Sequence, residues 1–120
     1  MSPDAIIVFA HGARDPEWAR PIERLAALVA AERPGLHVRC AYLELMQPTL
    51  TEAAAQLVAA GARSIRIAPA FLAAGGHVKR DLPLAVERLR TTHRGVAFEL
   101  RPPIGDSEAA LAAIAAVFAA

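Results

Sequence analysis

The chain has 120 residues, a net charge of +1 and 55% hydrophobic residues, which suits one core and a single domain over residues 1–120. So small a charge excludes a field that would gather nucleic acid or a membrane surface. The one cysteine, Cys40, excludes an internal disulfide and fits a reducing compartment.

Alanine supplies 29 residues and arginine 12 against the single Lys79, so arginine abundance carries no signal. The opening MSPDAII lacks the basic and long apolar segments of an export signal. The longest apolar tract, residues 109–120, is too short to span a bilayer. The expected location is cytoplasmic.

Ala5–Ala10 is a continuous apolar run with β-branched residues and reads as a strand buried on both faces. His11-Gly12-Ala13-Arg14-Asp15-Pro16 breaks it. A helix is expected from about Arg20 to Arg33, with Trp18, Ile22, Leu25 and Val29 on one face. Pro21 then falls in the first turn, where it is tolerated. His37–Tyr42 alternates and reads as a second strand, with Cys40 in the core.

Thr49 and Glu52 form a capping box for a helix that buries Leu50, Ala53, Ala54, Leu57 and Val58. Gly61 stands where a left-handed cap belongs. Ser64–Pro69 is a third strand. Residues 69–81, PAFLAAGGHVKRD, have no helical or strand period and read as a weakly anchored glycine loop. Asp81 is the expected cap of a third helix with Leu82, Ala85, Val86 and Leu89 inward. Residues 96–101 form a fourth strand, and a last helix after Asp106 or Ser107 turns Leu111, Ile114, Ala115 and Phe118 inward. Four alternating strand–helix units predict an α/β fold: a parallel sheet with helices on both faces, joined by right-handed crossovers.

In such sheets ligands sit beyond the carboxyl ends of the strands. His11 follows strand one, Glu44 follows strand two, and His77 lies after strand three, with Arg14, Lys79 and Arg80 in the same loops. Gly75 and Gly76 allow the backbone to approach a ligand closely. Two imidazoles and one carboxylate suit an open site for a divalent metal in transit rather than a closed structural one.

Taken singly, each residue has an ordinary reading. His11 could cap the sheet edge, Glu44 could be a solvated loop carboxylate, and Lys79 and Arg80 could simply face water. His37 and His93 read as structural. No dinucleotide or Walker glycine pattern occurs. Ala10 stands where a histidine phosphatase carries arginine before its His-Gly.

Three stretches, VFAHGARDP, YLELMQPTL and PAFLAAGGHVKRDLP, together resemble the short sirohydrochlorin chelatases, the cobaltochelatase/ferrochelatase group of cobalamin and siroheme biosynthesis. The resemblance runs from about Ile6 to Leu89, and Ala13 departs from the serine common after His-Gly. It implies a flavodoxin-like half-chelatase domain with strand order 2-1-3-4. It also implies a lyase that inserts cobalt, iron or nickel into sirohydrochlorin or a similar carboxylate-rich tetrapyrrole. His11 and His77 would bind the metal, and Glu44 would serve beside them in catalysis. Arg14, Lys79, Arg80 and the Gly75 and Gly76 amides would meet the substrate carboxylates. No permanent cofactor is implied, because the metal is itself a substrate. Longer chelatases resemble two such domains facing each other, so a homodimer is expected, with Leu43, Leu45, Met46, Phe71 and Leu72 near its contact. A carrier that binds metal or tetrapyrrole without turnover is the alternative.

Overall fold

The computed structural model describes residues 2–120. In chain order the elements are β1 (Ala5–Ala10), a 3-10 turn (Pro16–Ala19), α1 (Arg20–Ala31), β2 (His37–Tyr42), α2 (Leu50–Ala59) and β3 (Ser64–Pro69). There follow α3 (Gly76–Thr92), β4 (Ala97–Leu100), a second 3-10 turn (Ile104–Asp106) and α4 (Glu108–Ala119). The strands lie in the order β2-β1-β3-β4 and every pair is parallel. Both the α/β class and the order 2-1-3-4 are as expected. Ala10 pairs with Tyr42 and Phe9 with Pro69. The first three strands therefore end almost level, and the loops after them share one edge.

The main core lies between the sheet and α2 and α3. Ile7 and Phe9 of β1 and Ile65 and Ile67 of β3 meet Leu57 of α2 and Val86 of α3, all essentially closed to solvent. Each such side chain contributes roughly 1.5–3 kcal/mol by leaving water. The start of α2 is built as its sequence predicts. The Glu52 amide donates to Thr49 Oγ1 at 3.2 Å, and the Thr49 amide donates to Glu52 Oε1 at 2.8 Å. Gly61 follows at φ +99°, the left-handed cap.

The other face differs from expectation. Neither α1 nor α4 buries a single residue. Ala10, Ala19 and Tyr42 make a small second cluster with Ile22, Cys40 and Met46. Leu25 and Leu28 remain exposed. On α4, Leu111 and Phe118 are exposed instead of inward, and the helix does not pack closely on the sheet.

α3 also departs from expectation. It begins at Gly76, with Gly75 as its cap, rather than at Asp81. The cause is Val78, which is buried together with Leu82, Val86 and Leu89. That spacing is one continuous helical stripe, and it moves the cap six residues forward, from Asp81 to Gly75. Pro83 therefore sits inside the helix, at the loss of one backbone bond.

Candidate functional site

His11 is the first residue beyond β1. Its ring tilts against Phe71, with centroids 4.8 Å apart. Phe71 in turn stands edge-on to Phe9 and is only 8% exposed. The loop after β3 is thus anchored at its start, where the glycine- and alanine-rich sequence suggests little anchoring. The Ala70 amide adds a bond to the Phe9 carbonyl at 2.7 Å.

The loops after β1 and β2 are joined through their backbones. The Leu43 amide donates to the Ala10 carbonyl at 2.9 Å, and the Glu44 amide donates to the His11 carbonyl at 3.0 Å. Gly12 makes this approach possible. It has φ +93°, and a methyl in place of its hydrogen would overlap the Glu44 carbonyl. Only glycine meets both conditions.

His77 lies in the first turn of α3, not on a loop. Its side chain is 84% exposed, and Nε2 stands 3.1 Å from Asp81 Oδ2, four residues on. Asp81 is thus the group beside this ring nitrogen, one helical turn along α3. Sequence reasoning gave Asp81 the role of a helix cap. The His77 to Asp81 spacing, once both are helical, is the signal it lacked.

Glu44 and His77 share the wall of a cleft of about 610 Å³, together with Phe9, Tyr42, Thr49 and Asp81. His11 lies outside that wall. Among the described residues, no three side chains of His, Cys, Asp or Glu group closely enough to hold a metal ion. Two of the three sequence-selected groups therefore share a cavity, and the third, His11, is tied to Glu44 by main chain. Lys79 lines an adjoining cleft of about 420 Å³ with Phe71, Ala73 and Ala74. Arg14 and Arg80 are exposed near it in sequence, one after His11 and one in α3. Gly75 and Gly76 open α3, and Gly75 accepts the Lys79 amide at 2.9 Å.

Cys40 does not join the site. Its thiol approaches the Ile22 carbonyl at 3.8 Å, and burial pushes its pKa up. Burial, with Cys40 beside it, likewise pushes the Tyr42 phenol up to about 12. Both stay neutral near pH 7 and act as packing groups. A larger concavity, of about 740 Å³, lies elsewhere, on the α1 face of the sheet. It holds none of the three candidate groups.

The fold is an open parallel α/β sheet with His11 and Glu44 in the loops at its carboxyl edge and His77 in the helix that follows β3. The CbiX family profile matches residues 5–119. The chain belongs to the CbiX family, the short sirohydrochlorin cobaltochelatase/chelatase group.

A sirohydrochlorin cobaltochelatase of Sulfurisphaera tokodaii is 32% identical over 86% of this chain and 81% of its own length. One from Methanopyrus kandleri is 34% identical over 66% of this chain, and the match spans only 55% of that relative. The crystal structure of a CbiX protein from Marinobacter aquaeolei VT8 superposes with a TM-score of 0.82 at 34% identity, covering 95% of this chain and 92% of that one. The sirohydrochlorin chelatase SirB of Bacillus subtilis subspecies spizizenii, solved in complex with cobalt, gives 0.76 at 25% identity. It covers 87% of this chain but 44% of SirB.

Proposed function

We propose that this chain is a sirohydrochlorin metal chelatase that inserts a divalent metal, cobalt, iron or nickel, into the metal-free tetrapyrrole. The observation that carries the reading is the linkage at the sheet edge: Glu44 bonded to the His11 main chain, and Glu44 facing one cleft with His77. Family membership supplies the chemistry this edge is suited to. SirB, the longer relative, has been solved with cobalt and with Fe3+.

In this reading His11 and His77 take the incoming metal on imidazole nitrogen, a donor suited to all three metals. Insertion expels two pyrrole protons, so bases must stand beside the metal. Glu44 receives one, and an imidazole freed of metal can receive the other. Asp81, 3.1 Å from the His77 ring, orients it. Arg14, Lys79, Arg80 and the free amides at Gly75 and Gly76 meet the substrate carboxylates; the start of a helix favours such anions. The metal arrives and leaves as substrate, and no permanent cofactor is needed.

The whole of residues 1–120 acts as one half-chelatase domain, and two copies complete the tetrapyrrole cavity. The coverage of 44% of SirB supports a half-sized unit, and two-fold pairing is the commonest way for identical chains to associate. Exposed Leu43, Leu45 and Leu72 at the strand-end edge are available to that contact, whereas Phe71 and Met46 are occupied within the chain. The lone cysteine fits a cytoplasmic site of action, and no helix of the described residues is long and apolar enough to cross a membrane.

Anaerobic incubation with sirohydrochlorin and each metal, followed by absorbance, tests the reading. Repeated turnover per chain supports it. Stoichiometric binding without turnover would assign a carrier instead.

A further inference from the structure

The cleft that holds Glu44 and His77 takes its long axis from α3. His77, Asp81, Leu84 and Arg88 all line it. Successive members stand three or four residues apart, which is one stripe of a helix. From His77 to Arg88 the stripe runs about 16 Å along the helix axis. Side chains of a helix lean toward its N-terminus, which carries the long Arg88 side chain back over the turn of Leu84.

The middle of the stripe is apolar. Leu84 is 53% exposed, and Leu43 and Leu50 line the same cleft from the loop after β2 and the first turn of α2. The order along α3 is therefore a metal donor, an apolar patch and a cation.

Arg88 is the one lysine or arginine among the residues lining this cleft. The cations that stand out in the sequence lie elsewhere: Lys79 lines the adjoining cleft, and neither Arg14 nor Arg80 lines this one. Arg88 also has no rival claim on its charge. Glu87 beside it is taken by Arg90, and among the described residues no ion pair includes Arg88.

Electrostatics give this cation a task. Glu44 and Asp81 line the cleft as well, and two carboxylates repel a substrate that is itself rimmed with carboxylates. A cation set apart from the metal donors attracts that rim and leaves the ring nitrogens to His77 and Glu44.

We infer that Arg88 anchors one peripheral carboxylate of the tetrapyrrole and so fixes the rotation of the macrocycle over His77. Donor, apolar patch and cation meet the core, the ring and the rim of such a molecule in that order. The guanidinium fork takes a carboxylate through two parallel N–H···O bonds. Arg88 determines specificity and takes no part in moving the metal or the protons. The inference rests on the chelatase reading for the identity of its ligand.

Steady-state cobalt insertion is measured for the parent, Arg88→Ala, Arg88→Lys and Arg24→Ala. Arg24 is an exposed residue of α1 that lines no part of this cleft. Arg88→Ala should raise KM for sirohydrochlorin about tenfold and leave kcat nearly unchanged, the mark of lost substrate binding. Arg88→Lys should recover part of the loss, since it keeps the charge without the fork. Arg24→Ala should match the parent. Added salt should raise KM of the parent more steeply than that of Arg88→Ala. Cobalt binding without tetrapyrrole, by isothermal titration, should be the same in all four. Independently of turnover, quenching of porphyrin fluorescence gives the affinity for uroporphyrin and for its uncharged methyl ester. Arg88→Ala should weaken binding of the acid and leave that of the ester alone. A parent that turns over, with KM and uroporphyrin affinity unchanged in Arg88→Ala, would overturn the inference and leave the chelatase reading standing. Arg88-dependent binding of uroporphyrin without turnover would do the reverse. A parent that binds no tetrapyrrole would overturn both.

Discussion

The Glu44 amide donates to the His11 carbonyl at 3.0 Å. This bond couples two side chains that stand 33 positions apart in sequence, and it places the first two strand-end loops in fixed relation. It depends on Gly12, whose left-handed backbone lies against the Glu44 carbonyl.

Gly12→Ala should therefore damage both fold and site. A left-handed conformation costs a non-glycine residue about 1–3 kcal/mol, and the collision with Glu44 adds to it. Urea denaturation should show a loss of about 2 kcal/mol or more. Gly35, which has open space around it, serves as the comparison: Gly35→Ala should carry the strain alone and cost less.

His11→Ala and His77→Ala should each lower metal insertion at least about a hundredfold, the range in which even supporting groups of a metal site act. Neither residue is buried, so thermal unfolding should move little. His37→Ala is the control, since it opens β2 away from the carboxyl edge. Equal loss in that variant would remove the special status of the other two.

Asp81→Ala should lower metal affinity about 10–100-fold by freeing the His77 ring to rotate. Its exposure predicts little effect on stability. Isothermal titration with cobalt gives the affinity, and urea denaturation gives the stability. Unchanged cobalt binding would show that the 3.1 Å pair does not orient a ligand.

At the opposite end of the sheet, Asp4 clamps the start of β3. Its carboxylate accepts the Arg63 amide at 2.9 Å and the Ser64 amide at 3.0 Å. Burial opposes its charge, but these amides outweigh it and hold the carboxyl below its usual value. A carboxyl lowered on folding stabilises above its unfolded pKa and loses that contribution as pH falls through the folded one. Asp4→Ala should cost about 1 kcal/mol near neutral pH. The gap to the parent should close on acidification below about pH 4. A gap independent of pH would rule out the charged clamp.

The pattern of alternating strands and helices was legible because local signals agreed: the capping box of α2, the apolar run of β1 and the glycine after α2. Three features were not. The start of α3 was hidden by Asp81-Leu-Pro, which imitates a helix beginning, while Val78 belongs to the buried stripe. The contacts of Gly12 with Glu44 and of His11 with Phe71 join distant segments, and no local period encodes such pairs. The faces expected inward on α1 and α4 are apolar, but periodicity does not say whether any surface covers them, and neither helix buries a residue. The three donor loops could be chosen from strand ends alone, while their mutual geometry came only with the fold.

Multiple-turnover metal insertion is the most direct test of the central claim. The chain is mixed without oxygen with excess sirohydrochlorin and cobalt, and the metallated product is followed by absorbance. Continued product formation well beyond one equivalent per chain, abolished together in His11→Ala and His77→Ala, is the predicted result. Product that stops at one equivalent, or that forms equally fast with both histidines replaced, would contradict it.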